Sequence, residues 1–355
     1  MRPAWLEINT AHLRHNLDRL CQASGQSRVI AVVKANAYGH GAVGLAPYLS
    51  EAGVWALAVA TVDEGRELRQ AGVELPILLL GSLHPQQAAE VIEAGLIPTL
   101  STREAALALG KAAVEVGEQI AVHLKVETGM NRVGVPWNRA VEFAHWLEGL
   151  AGVRLEGVYS HLASADEDSG FTLLQLQRFE QLRQQLGGSY LYHLNNSAGS
   201  LDFPAGAHEA IRCGIALYGL IPQAGLKPIA RLLARPTLVK YLEAGQGVGY
   251  GQTYQVDQPQ WIATLPLGYA DGLPRSLSNR GVVRWRGQLC PLVGRVSMDQ
   301  ITVRVPQEVG LEAVFEVVSA DFDPQTSLWG WAQQTGTIAY EMAVRLAPRL
   351  AREYV

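Results

Sequence analysis

A chain of 355 residues that is 48% hydrophobic and 17% charged can bury a large core, and its length predicts two domains. Its formal charge of −4, with no basic run or basic aromatic stripe, argues against a nucleic-acid partner. No stretch reaches the roughly 20 apolar residues of a membrane span, and the start M-R-P-A-W-L-E-I-N lacks an apolar signal core, so no membrane partner and a cytoplasmic location are expected.

In chain order, Trp5 to Asn9 alternates like a short strand, and Asn9 or Thr10 can cap the helix carrying Leu13, Leu17 and Leu20. Cys21, Cys213 and Cys290 are widely spaced with no C-x-x-C pair, so neither a disulfide scaffold nor a metal site is expected. Apolar strand-like runs then alternate with helix-like stretches. The strands are expected over 28–34, 55–60, 76–80, 97–100, 120–126, 153–160, 190–193 and 210–217, and helices over 62–71, 86–94, 103–116, 139–147 and 172–186. Eight such units match the size of a (β/α)8 TIM-type barrel over residues 10–230. A doubly wound sheet is the structural rival, but no G-x-G-x-x-G opens a helix after the first strand. Beyond about residue 230, strands are expected over 236–243, 261–267, 281–286, 289–293, 300–305 and 313–318, with helices near 327–334 and 339–346. This predicts a mostly β C-terminal domain over 231–355, joined by the N-terminal strand 1–9, with the boundary in 225–235.

The densest chemistry lies in V-I-A-V-V-K-A-N-A-Y-G-H-G (29–41), where an apolar strand delivers Lys34 into a glycine-punctuated loop. Of the chain's 29 basic residues only five are lysines, so lysine is not its usual solubilising cation. At the end of a buried strand, desolvation lowers a lysine's pKa, and the neutral amine is the nucleophile that forms Schiff bases. The bland alternative is a lysine that reaches out to solvent. In a barrel the C-terminal strand ends carry the chemistry. There the expected strands place Lys34 and Tyr38, Lys125 followed by Arg132, His161, His193 with N-N-S-A (195–198), and R-C-G-I (212–215). His161 and His193 taken singly fit structural roles, and Ser197 fits a loop hydroxyl. Arg212 inside an apolar strand is harder to dismiss, because a buried guanidinium needs partners. Ser197 with the N–H groups of Gly214 and Ile215 can cradle a phosphate. A reactive lysine, an arginine and a phosphate cradle at one barrel mouth suit pyridoxal 5'-phosphate.

The segment A-V-V-K-A-N-A-Y-G-H-G (31–41) resembles the cofactor-lysine signature of the alanine racemases. The resemblance runs nearly end to end, through K-V-E-T-G-M-N-R-V-G (125–134), S-H-L-A-S-A-D (160–166), R-C-G-I-A-L-Y-G (212–219), G-Y-A-D-G (268–272), G-R-V-S-M-D-Q (294–300) and T-I-A-Y-E (337–341). The family pattern has Gly where Asn131 stands, and often Pro where Ala339 stands. The resemblance implies that Lys34 anchors the cofactor and is one catalytic base, with Tyr269 of a partner subunit the other. It also implies that Tyr38, Ser197, Tyr340, Gly214 and Ile215 bind phosphate, that Arg212 donates to the pyridine nitrogen, and that His161 links Arg212 to Tyr269. Arg132 would meet the phenolic oxygen and the substrate carboxylate, Met298 would line the substrate site, and Lys125 would be carbamylated, its new negative charge holding Arg132. Asp166, Arg295 and Asp299 would line the entrance. The partners so implied are an amino-acid substrate and a second copy, in a head-to-tail homodimer with shared active sites that supplies D-alanine for peptidoglycan.

Racemisation takes the α-proton from one face and returns one to the other, which two opposed bases accomplish directly. Arginine keeps its proton, so a pyridine nitrogen facing Arg212 stays neutral, which favours fidelity over carbanion stability. A broad-specificity or serine-directed racemase of the same fold stays open, since small pocket changes separate neighbouring substrates by only about 1–3 kcal/mol. A non-catalytic pyridoxal-phosphate carrier also stays open, although a carrier needs no second base. A lyase or aldolase of related fold would need a metal, and no ligand cluster for one is evident.

Overall fold

The computed structural model describes residues 2–223 and 225–355. The chain divides into two compact units, one made of Leu17–Ala37 and Ala42–Leu217, the other of Met1–Asn16, Tyr38–Gly41 and Tyr218–Val355.

In the first unit, eight parallel strands run in chain order: Arg28–Val32, Ala56–Val59, Ile77–Ser82, Ile97–Leu100, Ile120–Glu127, Val153–Tyr159, Leu191–His193 and Ala210–Cys213. The eighth pairs with the first in the register Ala210↔Arg28 to Cys213↔Ala31, and the fourth pairs with the fifth, so the sheet closes. These runs form strands because they are rich in Val, Ile and Leu and buried on both faces; Ala56–Val59, for example, is buried at every position. The expected eight-strand barrel is therefore what the sequence folds into. Strand ends shift by one to four residues from expectation, and two of the shifts bear on the site. Strand one stops at Val32 rather than Lys34, and strand eight stops at Cys213 rather than Leu217. After Cys213 the chain turns, Leu217 N–H bonding Gly214 C=O at 2.9 Å, so Ile215, Ala216 and Leu217 are buried in a turn. An apolar run alone does not distinguish these two outcomes.

After Val33 the backbone does something the sequence does not announce. Ala35, Asn36 and Ala37 have φ/ψ near +51/+49, +54/+49 and +53/+51, and Tyr38 has φ +52. This is a left-handed turn built without glycine, a conformation that costs an L-residue roughly 1–2 kcal/mol each. Ala37 N–H bonds Val33 C=O at 2.7 Å, and Asn36 Oδ1 accepts from Ala42 N–H at 2.8 Å.

In the second unit a six-stranded sheet runs in the order Gln288–Pro291, Val282–Trp285, Phe315–Val318, Ala230–Ala234, Ala4–Ile8, Ala351–Tyr354. The N-terminal strand Ala4–Ile8 lies in this unit's sheet, antiparallel to Ala230–Ala234 and parallel to Ala351–Tyr354. Its two neighbours were not anticipated: the expected boundary segment 225–235 contains one, and the C-terminus is the other. A three-stranded sheet is formed by Leu238–Leu242, Gln260–Leu265 and Ile301–Val305, and the expected helices appear as Leu328–Thr335 and Ala339–Val344. Gly39 and Gly41 lie in this unit with positive φ. A Cβ would fall 2.2 Å from Ala343 O at Gly39 and 2.2 Å from the Tyr354 hydroxyl at Gly41, so neither position tolerates a side chain.

Candidate active site

Arg212, on barrel strand eight, is 3% exposed. Its Nη1 donates to His193 Nδ1 at 2.8 Å and His193 O at 2.9 Å. Its Nη2 donates to Ser160 O at 2.6 Å, Leu194 O at 3.0 Å and His161 Nδ1 at 3.1 Å. Its guanidinium also lies 4.8 Å from the centre of the Tyr159 ring. Among the described residues every hydrogen-bond partner of Arg212 is neutral. An arginine only donates, so His193 and His161 must each accept on Nδ1 and carry their proton on Nε2. His193 Nε2 then donates to His123 Nδ1 at 2.9 Å. Burial first and the Arg212 charge second hold His123 near a pKa of about 3, and push His161 and His193 well below the usual histidine range. The three imidazoles are neutral spacers. Arg212 itself is lowered to about 10 by burial and stays a cation at neutral pH.

Lys125, on strand five, is 7% exposed, with Nζ 5.0 Å from the Tyr159 ring centre and 3.4 Å from Val126 O. The side chain is turned inward, not out to solvent. Burial first, then the Arg212 charge, lower its pKa to about 7. Downstream, the Glu127 carboxylate accepts from the N–H groups of Gly129 and of Arg132, the latter at 3.3 Å, and so shapes the loop that carries Arg132. Within that loop Asn131 has φ +55 and its amide donates to Gly129 O at 3.2 Å. Asparagine tolerates this left-handed conformation better than most residues, which explains how it can stand where the family pattern has glycine.

Lys34 follows strand one and is partly buried. Its pKa is lowered, first by burial and next by the Arg132 charge, while Glu64 opposes the shift. Ser197, after strand seven, accepts on Oγ from two N–H groups just beyond strand eight, Gly214 at 3.2 Å and Ala216 at 3.3 Å. A hydroxyl that accepts twice keeps its own proton for an anion. Sequence reasoning named Gly214 and Ile215 here; the structure adds Ala216. Asp166 is exposed, in the loop before the helix Ser169–Leu186.

The remaining expected residues belong to the second unit. Tyr38 packs its ring against Tyr218 at 5.2 Å and Tyr340 at 6.0 Å between centroids. Tyr269 opens a short turn, 42% exposed, its N–H bonded to Ser297 O at 3.0 Å. Gly268 N–H bonds Asp271 at 2.9 Å, and this buried carboxylate is clamped by Arg2 at 2.6 Å and Arg349 at 2.7 Å. Arg349 also reaches Asp299 at 2.7 Å, while Met298 and Arg295 are exposed. Among the described residues no group of His, Cys, Asp or Glu is disposed to hold a metal, and no helix is long and apolar enough to cross a membrane. Sequence reasoning missed the Asp271 clamp, which has no local signature, and Glu64, which has one: T-V-D-E (61–64) is a capping-box pattern.

The model of the alanine racemase N-terminal domain matches residues 8–222, and that of the C-terminal domain matches 229–354. The alanine racemase of Symbiobacterium thermophilum is 41% identical, covering 100% of this chain and 97% of its own length. That of Carboxydothermus hydrogenoformans is 39% identical, covering 100% of both chains. Among solved structures, an alanine racemase of Clostridium difficile 630 superposes with a TM-score of 0.93 at 33% identity, covering 100% of this chain and 96% of its own. One from Bartonella henselae, described as having covalently bound pyridoxal phosphate, gives a TM-score of 0.87 at 28% identity with 100% of both chains covered. With both family domains matched in order and relatives aligned over the whole length, the chain belongs to the alanine racemase family.

Proposed function

We propose that the chain is an alanine racemase, interconverting L- and D-alanine with pyridoxal 5'-phosphate and supplying D-alanine for peptidoglycan. The observation that carries this reading is Arg212, a buried cation held by two neutral imidazoles and three carbonyls. Such a group is suited to donate to a neutral ring nitrogen without releasing its proton. At the phosphate end the Gly214 and Ala216 N–H groups donate to Ser197 Oγ and so leave its hydroxyl proton for an anion, with Gly214, Ile215, Tyr38 and Tyr340 the further ligands expected. Lys34 would hold the aldehyde carbon. When bound, pyridoxal phosphate supplies an electron sink that acidifies the substrate's α-carbon.

The protein's own part is to place proton carriers and fix charge. Lys34, lowered by burial and by Arg132, is eased toward the neutral amine that accepts a proton on one face. The second base is Tyr269 from another copy of the chain. His161, neutral with Nδ1 committed to Arg212, keeps an Nε2–H that can donate to a phenolate and so favour it. Arg132 orients the substrate carboxylate, and a carbamylated Lys125 supplies the anion beside it. Met298 lines the substrate site, and Asp166, Arg295 and Asp299 its entrance. The assembly is a head-to-tail homodimer with shared sites. Cytoplasmic location accords with three thiols, Cys21, Cys213 and Cys290, that are all free.

The test is direct: the purified protein should show a visible Schiff-base absorption band and wash solvent deuterium into the α-position of both L- and D-alanine. Absence of exchange from either enantiomer overturns the alanine assignment, and faster exchange into serine moves it to a serine-directed racemase.

A further inference from the structure

We propose that Glu64 is a positioning residue for Lys34: its carboxylate grips the N–H of Ala35 and thereby holds the left-handed turn on which the lysine is mounted. The proposal rests on reading Lys34 as cofactor anchor and base. Glu64 is the third residue of the helix Val62–Gln70, where it completes a capping box with Thr61. That duty needs one oxygen. The carboxylate does more: Oε1 accepts from Ala35 N–H at 2.7 Å, and Oε2 accepts from Ala60 N–H at 2.7 Å and Thr61 N–H at 3.3 Å. Three backbone donors from the ends of barrel strands one and two therefore converge on one side chain. Only an acceptor with two oxygens and no proton serves all three.

What Glu64 holds is the first residue of the turn, Ala35, with φ +51 and ψ +49. Alanine has no intrinsic preference for that conformation, so surrounding contacts must impose it. Asn36 and Val33 supply two of them through Ala42 and Ala37. Glu64 supplies the third, on the residue that directly follows Lys34, and it does so from the first turn of a helix rather than from a loop, so the grip is rigid. Its negative charge also acts on Lys34, opposing the effect of Arg132.

A purely structural capping role makes a different forecast, and Thr61 separates the two. Thr61→Ala removes the threonine half of the capping box, in which Thr61 Oγ1 accepts from Glu64 N–H at 3.3 Å, and leaves the Ala35 contact in place. Glu64→Gln keeps size but offers an NH2 where an acceptor is needed. In the purified protein, Glu64→Gln should raise amide hydrogen exchange at Ala35 about tenfold or more and lower kcat roughly 10- to 100-fold, with KM for alanine little changed. Thr61→Ala should lower Tm with wild-type exchange at Ala35 and wild-type kcat. Should Glu64→Gln not fold, Glu64→Asp keeps charge and cap but shortens the reach to Ala35, and should show the same two losses. Unchanged exchange at Ala35 in the Glu64 variant that folds, or equal kcat losses in the Thr61 and Glu64 variants, overturns the proposal. A wild type that does not racemise alanine would instead sink the functional reading, and the exchange measurement would still decide the grip.

Discussion

Lys125 combines burial, a neighbouring cation and a tyrosine face, and the balance is measurable. Its ordinary pKa of 10.5 is lowered to about 7, by burial first and the Arg212 charge next. Between those two values the unfolded chain binds a proton that the folded chain does not. The destabilisation is therefore complete below about pH 7 and is relieved as the pH rises toward 10.5, so stability contributed at this site increases with pH across that window. In carbonate-free buffer, wild type should gain stability from pH 7 to pH 10 relative to Lys125→Met, by an amount on the order of a few kcal/mol. Urea midpoints for the two proteins measure it, and parallel curves would place the ammonium in a better-solvated setting. The same depression presents a neutral amine near pH 7, the form that adds carbon dioxide, so native mass spectra in bicarbonate should carry one adduct that Lys125→Met lacks. Arg212 and Lys34 were legible in the sequence because a charged residue in or beside an apolar strand is conspicuous. Glu64 was hidden in plain view: its capping motif is readable, but the bond to Ala35 joins two strand ends that only the closed barrel brings together.

The eight barrel strands were readable because runs buried on both faces need no register to be recognised. The turn that follows strand one was not, since Ala, Asn and Ala carry no mark of positive φ. Only the two glycines after it signalled an unusual path. Gly39→Ala should accordingly fail or lose several kcal/mol, its Cβ landing 2.2 Å from the Ala343 carbonyl at a φ of +80. Ala339 offers the opposite case. It is the first residue of the helix Ala339–Val344, and Ile338 before it has φ −111 and ψ 152, the extended geometry that a following proline requires. Proline at a first helical position loses no intrahelical hydrogen bond and restricts the unfolded chain. Ala339→Pro should therefore raise stability by about 0.4–1 kcal/mol, seen as a higher Tm, with racemase activity unchanged. A lower Tm would show that the Ala339 N–H makes a contact that proline removes. The departure from the family pattern at this site is then a matter of stability.

At the scale of the whole molecule, the second unit was the harder to read because its sheet is assembled from distant sequence. Ala4–Ile8 lies between Ala230–Ala234 and Ala351–Tyr354, so its two neighbours are more than 200 residues away and both are short. Local alternation announces such strands weakly and says nothing about their partners. The same distance governs the proposed chemistry, in which Lys34 and Tyr269 come from different copies of the chain. Mixing subunits distinguishes shared from private sites. Lys34→Ala and Tyr269→Phe homodimers should each be nearly inactive. In a two-fold dimer with shared sites, the heterodimer concentrates both substitutions in one site and leaves the other intact. Random reassortment makes about half the dimers heterodimers, each with one working site of two, so activity should recover to about one quarter of wild type. If each site took both residues from one chain, every site would carry one substitution and nothing would return. Co-expression of differently tagged subunits followed by tandem purification raises the expectation to about one half for the isolated heterodimer, since one of its two equivalent sites is intact. Recovery at that level requires Tyr269 to act across the dimer, and its absence in a heterodimer that forms would confine the second base to the subunit that holds Lys34.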